Sequence, residues 1–163
     1  MRPCVTLFLR AILPLALALP LRAQSRAADS LAVLAAADSA LAAISRVDFI
    51  AFTDLMIPEA TIVATVTRPG GAPQVRARTR ETERATRVGG RLTERGFGAT
   101  ASVAGNVAMV WMPYDFYADG AWSHCGVDVF TFVRTAAGWR ISSLAYSVEQ
   151  PPACQRHPAG PPA

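Results

Sequence analysis

The chain contains no lysine and only two histidines among its 163 residues. Every basic side chain is arginine, a bias that reflects composition rather than recognition. With His157 in the C-terminal tail and His124 alone in the body of the chain, no cluster has zinc-ligand spacing, so neither a metal nor any other cofactor is expected. Internal repeats and low-complexity stretches are absent from the domain. Long apolar runs are also scarce: "AILPLALALP" is too short to span a bilayer, which takes about 20 residues. Preceded by Arg2 and Arg10, this run reads as part of a signal peptide over residues 1–23, although Leu21 or Arg22 stands where a small residue is preferred. Cys4 precedes the run and is not placed for lipidation after cleavage. The expectation is an exported protein, periplasmic or secreted, with no stable membrane span once the signal is removed.

That cleavage removes most of the charge excess. The formal +4 includes Arg2, Arg10 and Arg22, and without them 13 arginines face 12 acidic residues. One local excess remains, running from Arg76 through Arg78, Arg80, Arg84, Arg87 and Arg91 to Arg95 and opposed only by Glu81, Glu83 and Glu94. It carries no aromatic platforms and no nucleic-acid motif, so a solvated, partly ion-paired surface is expected and no nucleic-acid partner. Of the three cysteines, Cys125 and Cys154 survive cleavage. In an oxidising compartment the pair is expected to bridge, contributing on the order of 2–4 kcal/mol; the alternative is two free thiols.

Periodicity predicts a helix over residues 28–46, capped by Asp29 or Ser30, with Leu31, Leu34, Leu41 and Ile44 recurring at helical spacing. A second helix over 48–56 places Phe49, Phe52 and Met56 on one face, and Pro58 ends it. "ATIVATV" reads as a strand, "RPGGAP" as a turn and "QVRART" as the return strand. A third helix is expected over 79–88, with Glu81 and Glu83 favouring its dipole. From Arg91 onward the pattern is all strand: 92–103, 107–117, a hairpin at Asp119-Gly120, 121–134, and 139–148 after "TAAG". Residues 151–163 form a Pro-rich tail pinned by Cys154 if the bridge forms. Helices first and a long meander last predict an α+β domain over residues 24–150, with its helices on one face of the sheet.

The segment "VAMVWMPYDFYADGAWSHCGVDVFTFVRTAAGWRISSLAYSVE" resembles the C-terminal half of the nuclear-transport-factor-2-like superfamily, also called SnoaL-like or ketosteroid-isomerase-like. The "GWRI" strand after a short turn and the helix–helix–strand opening carry the resemblance, which covers essentially the whole mature chain. It implies a cone-shaped fold, N-terminal helices packed on a strongly curved antiparallel or mixed sheet, with a pocket in the mouth and often a homodimer. It implies no single activity, because the scaffold hosts isomerases, hydrolases, cyclases and binding domains.

Counting back from a two-residue turn at Asp119-Gly120 pairs Tyr117 with Trp122, Asp115 with His124 and Trp111 with Asp128. One face then carries Met109, Trp111, Asp115, Tyr117, Trp122, His124, Asp128, Phe130 and Phe132. The other face carries Val110, Met112, Tyr114, Phe116, Cys125, Val127, Val129 and Val133. A two-residue turn at Ala136-Ala137 adds Trp139, Ile141, Ser143 and Ala145 to the first face. His124 and Cys125 point apart, which excludes a Cys–His nucleophilic pair.

The candidate catalytic residues are His124, Asp115 and Asp128. Asp115 would orient His124 and raise its pKa, and burial would keep Asp128 protonated, as in the isomerase relatives by analogy. Trp111, Tyr117, Phe52, Met56 and Ser143 are candidate ligand contacts. Neither the isomerase's tyrosine-plus-acid arrangement nor the Asp–Arg–Asp arrangement of epoxide-hydrolase relatives finds a match. Three functions follow: binding of a small, mostly apolar ligand; cofactor-free isomerase, hydratase or hydrolase chemistry; or an interaction domain that dimerises through its apolar second face.

Overall fold

The computed structural model describes residues 21–162, so residues 1–20 of the signal peptide expected over 1–23 lie outside the described residues. Helix α1 runs Leu21–Ser45, α2 Phe49–Asp54 and α3 Arg80–Arg84. The strands are β1 Met56–Val66, β2 Gln74–Thr79, β3 Leu92–Gly96, β4 Thr100–Ala104, β5 Val107–Ala118, β6 Ala121–Thr135 and β7 Gly138–Val148. They form one mixed sheet in the order β2-β1-β7-β6-β5-β3, with β4 also on β5. Among the described residues only the β1–β7 pair is parallel. The helices pack on one face of the sheet, as an α+β architecture requires.

Several boundaries move for local reasons. Asp29 lies inside α1 and does not cap it; its carboxylate pairs with Arg134 and accepts from Trp139 Nε1 at 3.3 Å, tying the helix to the last hairpin. By length and composition Arg26–Ser45 could cross a membrane. Its Val33, Ala37, Ala40 and Leu41 are nevertheless buried in the core with Phe130, Phe132, Val110 and Ile141. Asp48 caps α2 by accepting from Ala51 N at 2.9 Å. The helix stops at Asp54 rather than at Pro58, so Met56 belongs to β1. Arg80 donates to Thr53 O in the last turn of α2, satisfying a carbonyl a helix leaves unpaired, and Arg84 donates to Ile50 O and the Asp54 carboxylate. The run predicted over 92–103 breaks at Phe97-Gly98, where Gly98 takes φ +58°, and its two halves pair with successive parts of β5.

The hairpin turn at Asp119-Gly120 has φ +51° and +78°, the left-handed pair that a two-residue loop favours. Tyr117 pairs with Trp122 as expected. Ser123 then bulges, and the register moves to Phe116–His124, Asp115–Cys125, Tyr114–Gly126 and Met112–Asp128. One extra residue exchanges the faces of β5 relative to β6. The pairing of Asp115 with His124 and of Trp111 with Asp128 is therefore corrected. Ala108, Val110, Met112, Tyr114 and Phe116 share the inner face with Phe132, Phe130, Asp128 and His124, while Trp111, Asp115 and Tyr117 face outward.

A second register shift, beside Ser142, leaves Trp139 and Ile141 inside. It turns Ser143 and Ala145 outward and brings Leu144 and Tyr146 in.

Cys125 and Cys154 are joined by a disulfide, with a Cα–Cα distance of 5.7 Å, and it pins the tail across the outer face. There Arg156 lies over the Trp122 ring at 4.1 Å, and His157 meets Phe97 edge-on. The same tail covers Asp115, which is wholly buried and paired with Arg95 through contacts of 3.0 and 2.6 Å.

Candidate functional site

Between the helices and the inner face lies a cavity of about 220 Å³. α1 and α2 supply Ile44, Phe49 and Phe52 to its wall, β1 and β7 supply Ile62, Leu144 and Tyr146, and Val88 stands at the rim. A larger open depression of about 580 Å³ lies on the opposite face, around Trp111, Val127, Val129 and Cys154. The smaller inner cavity is the better candidate, because the ionisable groups that burial displaces most line it and not the depression.

Asp128 is 2 % exposed, and its Oδ2 has no hydrogen-bond partner. Desolvation first, and the charge of Glu94 second, hold its carboxyl well above the usual carboxylate range. Glu94, on β3, lines the same cavity and is pushed up to about 8 by desolvation. His124 stacks on Phe116 at 4.8 Å between ring centroids and meets Tyr114 edge-on at 5.7 Å. Burial pushes its imidazole down to about 4, the reverse of the rise expected from an Asp115 partner. Its Nδ1 is 2.9 Å from Ser123 Oγ. Burial therefore favours the neutral imidazole of His124 and the protonated carboxyl of Asp128.

The cavity's one arginine is already engaged. Arg78 donates to the Tyr146 hydroxyl at 3.0 Å, and its Nε lies 2.9 Å from Glu83 Oε2. The latter contact is an ion pair rather than a directed hydrogen bond, since Oε2 has no donor aligned with it. Tyr114 spans Gly126 to donate to Ser147 O at 2.7 Å.

His124, Asp128 and Phe52 thus meet at one cavity. Met56 is buried beside it in the core; Trp111, Tyr117, Asp115 and Ser143 lie on the other face of the sheet. Tyr114 and Tyr146 are turned inward by the two register shifts, which no local signal marks, and Glu94 and the Arg78–Glu83 pair are placed there by the order of the sheet, which carries no local signal either. Among the described residues no three His, Cys, Asp or Glu side chains gather as metal ligands.

The family model described as a SnoaL-like domain matches residues 33–151, most of the chain. The chain belongs to the SnoaL-like family. The SnoaL-like domain is also similar to solved structures of the wider nuclear-transport-factor-2-like group. An NTF2-like protein with a cystatin-like fold from Novosphingobium aromaticivorans is 17 % identical with a TM-score of 0.62, over 83 % of this chain and 92 % of that one. An NTF2-like superfamily protein from Salmonella enterica serovar Typhimurium is 17 % identical with a TM-score of 0.61, over 77 % and 94 %. A protein from Streptomyces avermitilis, provisionally described as a dehydratase of the NTF2-like family, is 18 % identical with a TM-score of 0.55, over 76 % and 97 %. At these identities the likeness establishes the fold. No curated protein matches in sequence.

The displaced acids of the SnoaL-like domain set a pH dependence. Above about pH 6.5, His124 is neutral in both folded and unfolded chains. Glu94, pushed up to about 8, keeps a proton in the native state that the unfolded chain has released, so stability falls as pH rises from about 6.5 toward 8, and the raised carboxyl of Asp128 acts in the same direction. Below that window the unfolded histidine gains a proton that native His124 refuses, which offsets part of the acids' effect. The urea midpoint is expected to drop between about pH 6.5 and pH 8, and Glu94→Gln to flatten the drop. An unchanged midpoint would show Glu94 ionised in the folded protein across that window.

Proposed function

We propose that the protein binds a small, mostly apolar ligand in the inner cavity, with His124, Asp128 and Phe52 among its contacts. The observation that carries this reading is the buried Asp128 carboxyl, whose Oδ2 has no partner in the protein and borders an apolar, aromatic-walled space. An unmade hydrogen bond of a buried polar group costs about 1–3 kcal/mol, which a ligand's polar atom would recover. At about 220 Å³ the space is smaller than the ~300–1,000 Å³ of drug-sized sites, so the ligand is a single-ring compound or similar.

A second reading rests on a neutral histidine and a protonated acid facing one cavity, which provide base and acid for a cofactor-free isomerase, hydratase or hydrolase. Asp115 has no part in it, since it faces the tail. A turnover unaffected by His124→Ala would eliminate this reading.

The remaining elements of the proposal are export to the periplasm or beyond through residues 1–23, which suits the Cys125–Cys154 bridge, and a homodimer. The exposed Val107, Met109 and Trp111 make the outer face of β5 the surface for a second copy.

Native and then denaturing mass spectrometry of the exported protein reads both the oligomer and any retained small molecule. For added ligands, a bound compound at ten times its Kd raises stability by about 1.4 kcal/mol. Val88→Trp, which blocks the cavity rim, is expected to abolish that rise while leaving the melting temperature of the free protein intact. If ring-sized compounds shift the Val88→Trp variant as much as the parent, they bind elsewhere and the inner cavity is not the site.

A further inference from the structure

We propose that the ligand's polar end is a protonated amine, an organic monocation held between Asp128 and Glu94 against aromatic walls. This rests on the inner cavity being the ligand site.

Among the described residues the cavity holds no cation that is not already paired. Asp128 on β6 is 2 % exposed with an unpartnered Oδ2, and Glu94 on β3, across β5 on the same face of the sheet, lines the same cavity. Arg78 on β2 is occupied by Glu83 of α3 at 2.9 Å and by the Tyr146 hydroxyl of β7 at 3.0 Å. Arg95, one residue from Glu94, projects to the other face and is held by Asp115. His124 is kept neutral by burial, the Tyr114 hydroxyl of β5 is spent on Ser147 O, and α1 and α2 present only Ile44, Phe49 and Phe52. Two carboxyls therefore share one low-dielectric space with no counter-ion left over.

Each class of ligand fares differently there. An anion would meet two acids and no free cation. A neutral carbonyl has acceptor atoms only, so it satisfies a protonated acid but leaves the repulsion between the two sites in place once both ionise. An ammonium has three N–H donors, enough to reach both carboxyls, and its charge is attracted to the ring faces of Phe49, Phe52, Tyr114 and Phe116. One ionised carboxylate balances one ammonium, and the second acid, still protonated, can also hydrogen-bond within the site. The stoichiometry thus selects a monocation over a dication.

Charge balance makes the proposal measurable. In the free protein burial biases both acids toward the protonated form, with Glu94 pushed up to about 8. Seating a cation that is already protonated expels one of their protons to solvent, so affinity rises about tenfold per pH unit while the acids remain protonated in the free state. A neutral acceptor has no such rise and weakens once the acids ionise.

The test is calorimetry with benzylamine and the near-isosteric benzyl alcohol, at about pH 6 and about pH 7 in two buffers of different ionisation heat. Benzylamine is expected to bind at least tenfold tighter at pH 7, to tighten about tenfold between the two pH values, and to release close to one proton. Asp128→Asn should remove the preference for the amine and leave benzyl alcohol within about twofold of its parent value. Should that variant fail to fold, Glu94→Gln on a different strand is expected to weaken benzylamine about tenfold. If benzyl alcohol binds as well as the amine and no proton is released, the cation proposal falls and the cavity still binds ligands. If Val88→Trp leaves the binding of both probes unchanged, or neither probe binds, the cavity reading fails and takes this proposal with it.

Discussion

Replacing Arg95 with methionine is expected to destabilise the protein by about 3–5 kcal/mol, the usual consequence of stranding a buried charge. Asp115 is completely buried and lies on the outer face of β5, under the C-terminal tail. Its carboxylate takes two bonds from one guanidinium, Nε at 3.0 Å and Nη2 at 2.6 Å, and a third from His157 N at 3.0 Å. Only the arginine carries compensating charge, and methionine of similar length keeps the packing while removing it. Arg95 Nη2 also donates to Gly160 O at 2.7 Å, so the same change frees the end of the tail. Urea unfolding with an unchanged m-value measures the loss. The double variant Arg95→Met with Asp115→Leu is expected to recover most of it, since a buried ion pair replaced by apolar groups is often close to neutral. A loss below about 1 kcal/mol in the single variant would mean that Asp115 is solvated or uncharged in the folded protein.

Asp115 also shows where the sequence stops being legible. The hairpin at Asp119-Gly120 can be read from the residues alone, because the turn needs two left-handed residues and that dipeptide tolerates them. The β6 half of the site follows from alternation: His124, Asp128, Phe130 and Phe132 lie on the inner face as expected. The β5 half inverts, because Ser123 adds one residue to the hairpin and nothing in "WSHCG" marks it. A slip of one residue moves every side chain of a strand to the opposite face, so Tyr114 and Phe116 enter the cavity while Trp111, Asp115 and Tyr117 leave it. The shift beside Ser142 does the same to Ser143, Leu144 and Tyr146.

Glu94 and Arg78 were hidden for a different reason. They sit in the arginine-rich run, which reads as solvated surface, and only the order β2-β1-β7-β6-β5-β3 turns Arg78 of β2, and Leu92 and Glu94 of β3, into the cavity. Local propensity set the elements, whereas long-range pairing decided which charges would be buried.

Gly126→Ala is expected to be the most damaging single methyl addition on the inner face. A Cβ there would lie 2.0 Å from Ser147 O and 2.8 Å from Ser147 C, well inside contact distance and against main chain that cannot rotate away. The neighbouring strands leave the ladder between Asp128–Tyr146 and the isolated Cys125–Glu149 bridge, so Ser147 projects into the space the missing side chain provides. The Tyr114 hydroxyl crosses the same space to reach Ser147 O, and moving that carbonyl breaks the bond as well.

Overpacking of a core typically costs about 1–3 kcal/mol, and a clash with backbone belongs at or above the upper end. About 3 kcal/mol corresponds to a fall of roughly 10 °C in melting temperature for a domain of this size. Gly89→Ala is the matched control, because a Cβ at that position meets nothing within 4 Å. It is expected to leave the melting temperature within about 2 °C, as surface substitutions usually do. Equal effects from the two substitutions would mean that β6 and β7 are further apart at Gly126 than the Tyr114–Ser147 bond requires, and would remove the steric reason for a glycine between the two halves of the site.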